Sequence, residues 1–260
     1  MKLERLELET DRGVARVWLN RPEVRNAFDG VMVTELRKVV DDLGADDSVR
    51  VVVVGGRGKV FCAGADLEWM KAVAAFGRED NLREAGAMAD LFFAISASPK
   101  PIVARVHGAA LGGGAGLVAA CDIAVAGLGT RFGFTEVRLG LIPAVISPYV
   151  VRRIGESAAR ELVLTGERFD AATAHEIGLV RSAVPEADLD VAVDGRVREL
   201  LEAGPHAIAE AKALLRSVAG RRVEDVRDDT VERIARVRAS AEGQEGLRAF
   251  LEKRKPDWVD

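Results

Sequence analysis

Hydrophobic positions along the chain switch between two periods, and the switches mark its elements. Residues 3–9 read Leu-Glu-Arg-Leu-Glu-Leu-Glu, close to the period of two of a half-buried strand. Asp11-Arg12-Gly13 turns the chain into a second strand over 14–19, so the opening predicts a hairpin that Asn20-Arg21-Pro22 ends. The segment 23–29 is polar and irregular. Over 30–43 the period lengthens, with Val33, Leu36, Val39, Val40 and Leu43 on one helical face. Val51 to Val54 is a continuous β-branched run, as expected of a central strand buried on both faces. A helix-like stretch follows Asp66, and another covers 81–97 before Ser98-Pro99-Lys100-Pro101 stops it. Then come an apolar strand over 102–106, a glycine-rich turn, a small-residue helix and a strand over 123–126. Strands alternating with helices predict an α/β layered core.

Beyond Ala144 the pattern turns helical. It predicts helices over 152–165, 170–177, 185–201, 205–218 and 222–238, with one last strand over 179–184. In the last helix Val223, Val226, Thr230, Ile234 and Val237 form a stripe suited to packing on the core or on a neighbouring subunit. The expected organisation is a core over 1–185 and a helical region over 186–260 used for packing and oligomerisation.

Composition narrows the function classes. A chain of 260 residues buries roughly three quarters of its unfolded surface, so it needs no disulfide or metal staple. Lys plus Arg total 37 against 41 Asp plus Glu, a formal charge of −4, which argues against a nucleic-acid footprint. No run reaches the roughly 18 apolar residues of a membrane helix, and the N-terminus lacks a signal-peptide pattern. Cys62 and Cys121 are the only cysteines and have no metal-type spacing. His107, His175 and His206 are scattered, so no metal site is expected, and a cytoplasmic protein is. Cys62 reads as a small buried residue, Asp122 as a structural cap or ion-pair partner, and Trp18 and Trp69 as packing residues.

Two glycine-rich motifs invite phosphate readings. Gly55-Gly56-Arg57-Gly58-Lys59 is too short for a phosphate loop, and Val60 stands where Ser or Thr is needed. Gly114-Ala115-Gly116-Leu117-Val118-Ala119 fits G-x-G-x-x-[GA] but does not follow its strand directly, and its crossover helix is too short for a dinucleotide fold. The glycines read better as a pair of loops, Cys62-Ala63-Gly64-Ala65 and Gly112-Gly113-Gly114. Each follows a predicted buried strand and enters a predicted helix. Their N–H groups would emerge at one sheet edge, and two such groups converging on one oxygen make an oxyanion hole.

Together the motifs carry a resemblance. Leu19-Asn20-Arg21-Pro22 with Arg25-Asn26-Ala27, Phe61-Cys62-Ala63-Gly64-Ala65-Asp66-Leu67, Gly108 through Gly114, Cys121-Asp122-Ile123, Phe132-Gly133-Phe134-Thr135-Glu136-Val137 and Gly140-Leu141-Ile142-Pro143 resemble the enoyl-CoA hydratase/isomerase (crotonase) superfamily. The resemblance implies an α/β spiral of ββα units (ClpP-like) with a helical C-terminal region that builds trimers or hexamers. It implies an acyl-CoA thioester as substrate, with coenzyme A arriving as part of it and no separate cofactor. By position it implies that Ala65 and Gly113 supply the oxyanion-hole N–H groups. Arg25, Ala27, Ala63, Asp66 and Leu67 match positions that line the coenzyme A moiety. Two fixed donors at a developing enolate are each worth on the order of 3 kcal/mol in the transition state.

The best-known hydratases of this superfamily use two glutamates. Glu136 matches the second, whereas Gly116 stands where the first would be. The neighbourhood from Arg138 to Val151 is similar to the methylglutaconyl-CoA hydratase branch, whose substrates carry their own distal carboxylate, with Arg138 or another basic residue as its candidate partner. The expectation is an enoyl-CoA hydratase, with methylglutaconyl-type substrates as the branch that this likeness points to and Glu136 as general acid/base of raised pKa. A double-bond isomerase, which needs one carboxylate, stays open as the alternative, as does a catalytically idle coenzyme A-binding subunit.

Overall fold

The computed structural model describes residues 3–259. A six-stranded sheet runs in the order β1 (Leu6–Asp11), β2 (Val14–Leu19), β3 (Val51–Gly56), β4 (Ile102–Val106), β6 (Ile123–Gly127) and β9 (Ser182–Val184). Within this sheet only the β1/β2 hairpin pairs antiparallel, as the turn at Asp11-Arg12-Gly13 predicts. A second sheet of three short strands holds β5 (Ala109–Leu111), β7 (Arg131–Gly133) and β8 (Arg168–Asp170). Each turn of the chain sends one strand to the large sheet, a shorter extended piece to the second layer, and then a helix back. Isolated parallel bridges, Phe28 to Ala65 and Cys62 to Ala110, continue the second layer into the earlier turns. This is the ββα spiral expected from the resemblance.

Val51 to Val54 are almost fully buried, and the two faces of that strand serve two cores. Val52 and Val54 join the main cluster with Leu36 of α1 (Gly30–Ala45), Ile95 of α3 (Arg78–Ala97), Leu117 of α4 (Gly113–Ala120) and Ile154 of α5 (Ser147–Thr165). Val51 and Val53 instead meet Leu189, Val193 and Val197 of α7 (Leu189–Leu201) on the other side. A strand covered on both faces has no polar side to alternate, which explains its unbroken sequence.

Aspartates start the helices that matter to the site. Asp29 accepts the Met32 N–H at 2.7 Å to cap α1, and Asp66 accepts from Glu68 and Trp69 to cap α2 (Leu67–Ala74). Later elements depart from the periodic reading. α5 starts at Ser147, with Pro148 in its first turn, and bends at Gly155. α7 starts at Leu189 because Glu186–Asp188 forms a 3-10 turn first. The remaining helices are α6 (Ala171–Glu176), α8 (Pro205–Val218), α9 (Val223–Ala239) and α10 (Ala241–Glu252). The α9 stripe is only partly covered: Val226 is buried, while Val223 and Ile234 stay exposed. Among the described residues no helix is long and apolar enough to cross a membrane.

Candidate active site

Two backbone junctions meet at the start of α4. The Cys62 N–H donates to the Ala109 carbonyl and the Leu111 N–H to the Cys62 carbonyl, both at 3.0 Å, so the segment entering α2 lies beside the segment entering α4. The contact is close enough to require glycine. A Cβ on Gly64 (φ 97°) would stand 3.0 Å from the Leu111 carbonyl oxygen and 3.9 Å from the Gly112 Cα. Gly112, itself at φ 51°, packs against Gly64 in return. The residues that follow these two glycines are Ala65 and Gly113. The Phe28–Ala65 bridge uses the Gly64 carbonyl and the Asp66 N–H, which leaves the Ala65 N–H outside it. Gly113 is the first residue of α4, where a helical N–H has no intrahelical acceptor. Among the described residues neither N–H has an acceptor, so two free donors sit on adjacent segments.

Glu136 reaches the same junction. It opens a 3-10 turn, Glu136–Leu139, directly after β7, and the Gly112 N–H donates to the Gly133 carbonyl at 2.8 Å to tie that strand to the loop. Its Oε1 lies 3.2 Å from where a Cβ on Gly112 would be. Its Oε2 is buried with no hydrogen-bond partner. Burial therefore pushes the Glu136 carboxyl above the ordinary glutamate value, outweighing the opposing pull of its own backbone N–H. A buried carboxylate oxygen left unpaired is costly, which makes Glu136 a candidate for chemistry rather than for stability.

The coenzyme A candidates gather on two neighbouring segments. The Ala63 N–H donates to the Arg25 carbonyl at 3.0 Å, which sets Arg25 and Ala27 alongside Ala63, Asp66 and Leu67. Arg25 is exposed, with a left-handed backbone (φ 57°), Ala27 is buried, and Leu67 is 74% exposed. The Asp66 carboxylate is already engaged by the start of α2 and by Arg21 at 3.0 Å. Burial opposes its ionisation, but the N–H groups of Trp69 and Glu68 and the Arg21 guanidinium outweigh that and hold its pKa below the ordinary value.

Two positioning residues escaped the sequence reading. Arg21 bridges Asp29 at 3.2 Å and Asp66 at 3.0 Å, clamping the starts of α1 and α2 together. Asn26 is fully buried, accepts the Arg21 N–H and donates to the carbonyls of Arg57 and Val60, each at 2.8 Å. Their signal was the Asn and Arg of an otherwise irregular stretch standing ahead of two capping aspartates.

Three other positions resolve here. The space beside Gly116 is filled: a Cβ there would lie 2.2 Å from Ile146 Cγ2, so the position where a first glutamate was expected is closed by an apolar side chain. Arg138 turns its Nε toward the Thr165 carbonyl at 3.4 Å and packs on Gly166. Cys62 is buried and its thiol is pushed up to about 12 by burial, the state of an inert packing residue. Among the described residues no cluster of metal-ligating side chains occurs.

Comparison with known proteins gives the geometry its setting. The family described as enoyl-CoA hydratase/isomerase matches residues 9–260. A Thermus thermophilus protein that carries an enoyl-CoA hydratase name is 40% identical over 250 residues, spanning 96% of this chain and 99% of its own length. The crystal structure of an enoyl-CoA hydratase from Shewanella pealeana is 43% identical with a TM-score of 0.95, covering 99% of this chain and 97% of that one. The trans-2-decenoyl-(acyl-carrier-protein) isomerase of Streptococcus mutans is 31% identical over 261 residues, covering 100% of this chain and 99% of its own. With the family matched over nearly its whole length and the fold shared, the chain belongs to the enoyl-CoA hydratase/isomerase (crotonase) family.

Proposed function

We propose that this chain hydrates α,β-unsaturated acyl-CoA thioesters, with Glu136 as its general acid/base and the N–H groups of Ala65 and Gly113 as its oxyanion hole. The observation that carries the reading is the Glu136 Oε2, buried without a partner, beside a junction of two free N–H groups. Water adds at the β carbon and gives a proton to Glu136. The double-bond electrons move onto the thioester oxygen, and the enolate charge falls to the two N–H groups. Glu136 then returns the proton to the α carbon, which restores the thioester carbonyl. A carboxylate of raised pKa suits this double role, because it holds a proton firmly enough to take it and loosely enough to give it back.

Arg25, Ala27, Ala63, Asp66 and Leu67 line the coenzyme A portion in this reading, Leu67 with an exposed apolar side chain and Asp66 through its backbone. The likeness over 138–151 favours branched substrates of the methylglutaconyl type. Arg138, exposed and with only its Nε on the Thr165 carbonyl, or another basic residue meets the distal carboxylate of such a substrate. A homotrimer or homohexamer would cover the apolar residues that α9 and α10 leave open, among them Ile234, Phe250 and Leu251. Two free, buried thiols fit a reducing, cytoplasmic setting.

One observation favours a second reading. Ile146 closes the notch at Gly116, so no second carboxylate works from that position, and a double-bond isomerase needs only one. A conjugated enoyl-CoA in oxygen-18 water separates the two. Loss of the enoyl absorbance with label in the product is expected. Gain of absorbance from a β,γ-enoyl-CoA, with no label incorporated, overturns hydration in favour of isomerisation. Binding of acyl-CoA without turnover of either substrate leaves an idle subunit.

A further inference from the structure

At the opposite end of α4 from Gly113, eight residues or about 12 Å along the helix, a cleft of about 440 Å³ opens between α3, α5 and α8. An adjoining hollow of about 380 Å³ shares Ser96, Tyr149, Arg152 and Arg216 with it. Two of the cleft's cations are fully engaged. Arg153 donates to the carbonyls of Val118, Cys121 and Asp122, closing the end of α4, and Lys212 pairs with Asp122 at 2.6 Å.

The other two are not engaged. Among the described residues neither Arg152 nor Arg216 has a carboxylate within ion-pair distance, and Arg216 lies 5.4 Å over the ring of Phe93. Both guanidinium groups act on Tyr149, where burial raises the phenol pKa and they oppose it. The Tyr149 hydroxyl has no hydrogen-bond partner among the described residues. The one carboxylate lining either hollow is Asp122, which Lys212 already holds. In a chain of net charge −4, two guanidinium groups without a carboxylate partner beside one hollow give it a local positive potential that suits an anion. The rest of the lining is largely apolar: Pro101 and Ala119 are buried, Ile123 and Ile208 half-buried, and Leu215 exposed beside them.

We propose that this cleft is a second ligand site, for an amphiphilic anion whose phosphate or carboxylate head sits among Arg152, Arg216 and Tyr149 while a short apolar chain lies on the apolar lining. The volume falls in the range of small-molecule pockets. Planar guanidinium forks suit either head, since both present paired oxygens. The site is separate from the Glu136 junction and does not depend on the reaction assigned there.

The chain's single tyrosine gives a local probe. Protein labelled with 3-fluorotyrosine shows one fluorine resonance, from Tyr149, which is followed during titration with octyl phosphate, octanoate, inorganic phosphate and octanol. A saturable shift is expected with octyl phosphate or octanoate, and whichever binds more tightly identifies the head. Octanol should leave the resonance in place, and inorganic phosphate should bind at least about tenfold more weakly than octyl phosphate. Arg152→Gln with Arg216→Gln should weaken the amphiphile by about tenfold or more while the resonance of the free protein keeps a folded line shape. Absence of a saturable shift with both amphiphiles, or equal binding by the double variant, overturns the proposal.

Discussion

The two ends of α4 show opposite treatments of polar groups within one short helix. At the C-terminal end the carbonyls of Val118, Cys121 and Asp122 are taken by Arg153, and the Asp122 carboxylate holds Lys212 and the Ile102 N–H. At the N-terminal end the Ala65 and Gly113 N–H groups are open and the Glu136 Oε2 has no partner. Helix ends carry the same number of orphan groups in principle, so the difference lies in what surrounds each end. Satisfied groups at one end fix the helix in place. Unsatisfied groups at the other end lie on adjacent segments and, in the proposed reading, have a stability cost that a bound thioester would relieve.

The contrast can be broken from the reactive end first. Glu136→Gln should cut turnover by roughly 10² to 10⁴, measured as initial rates on a conjugated enoyl-CoA. The same variant should raise the melting temperature at neutral pH by about 2 °C, read by calorimetry. The sign follows from the raised pKa. A carboxyl that binds its proton more tightly folded than unfolded adds stability below the unfolded value, and that stability is lost as pH rises through the folded value. Removing the charge at neutral pH therefore helps the fold while it abolishes proton transfer. Unchanged turnover would end the distinction between the two ends.

A smaller effect is expected from the other end. Lys212→Met leaves Asp122 with only its backbone partner and should cost about 2 kcal/mol in denaturant unfolding. That is less than the ~3–5 kcal/mol of a fully buried pair, because Asp122 remains 29% exposed. Its turnover per folded molecule should stay near wild type. A variant that kept its stability but lost activity would show the two ends to be one functional unit.

Much of the spiral was legible because burial dictates pattern. A strand covered on both faces, Val51 to Val54, and a hairpin with its turn residues announce themselves. The second sheet did not, since β5, β7 and β8 have three residues each, too few for a period, and Ala109–Leu111 merges with the glycine turn. α10 was not anticipated: Ser240 caps it, but Gly243 and Gly246 interrupt its first turns as poor helix formers, and its Phe250 and Leu251 stay exposed. In the site, the paired glycine loops were readable from their positions after strands. Glu136 was readable only through the family resemblance, because nothing local separates it from a surface glutamate. The Arg21 clamp and the Ile146 plug depend on contacts between segments far apart in sequence, where periodicity carries no information.

The central claim is that the unpaired carboxylate of Glu136 is the working base, and the pH dependence of kcat/KM for hydration tests it most directly. Water activation needs the ionised form, so the rate should fall as pH drops through a single ionisation lying above the 4.5 of an ordinary glutamate, with a slope of one. The residual activity of Glu136→Gln should lack that limb. A limb at the ordinary glutamate value, or one that persists in Glu136→Gln, would contradict the account and place the base elsewhere.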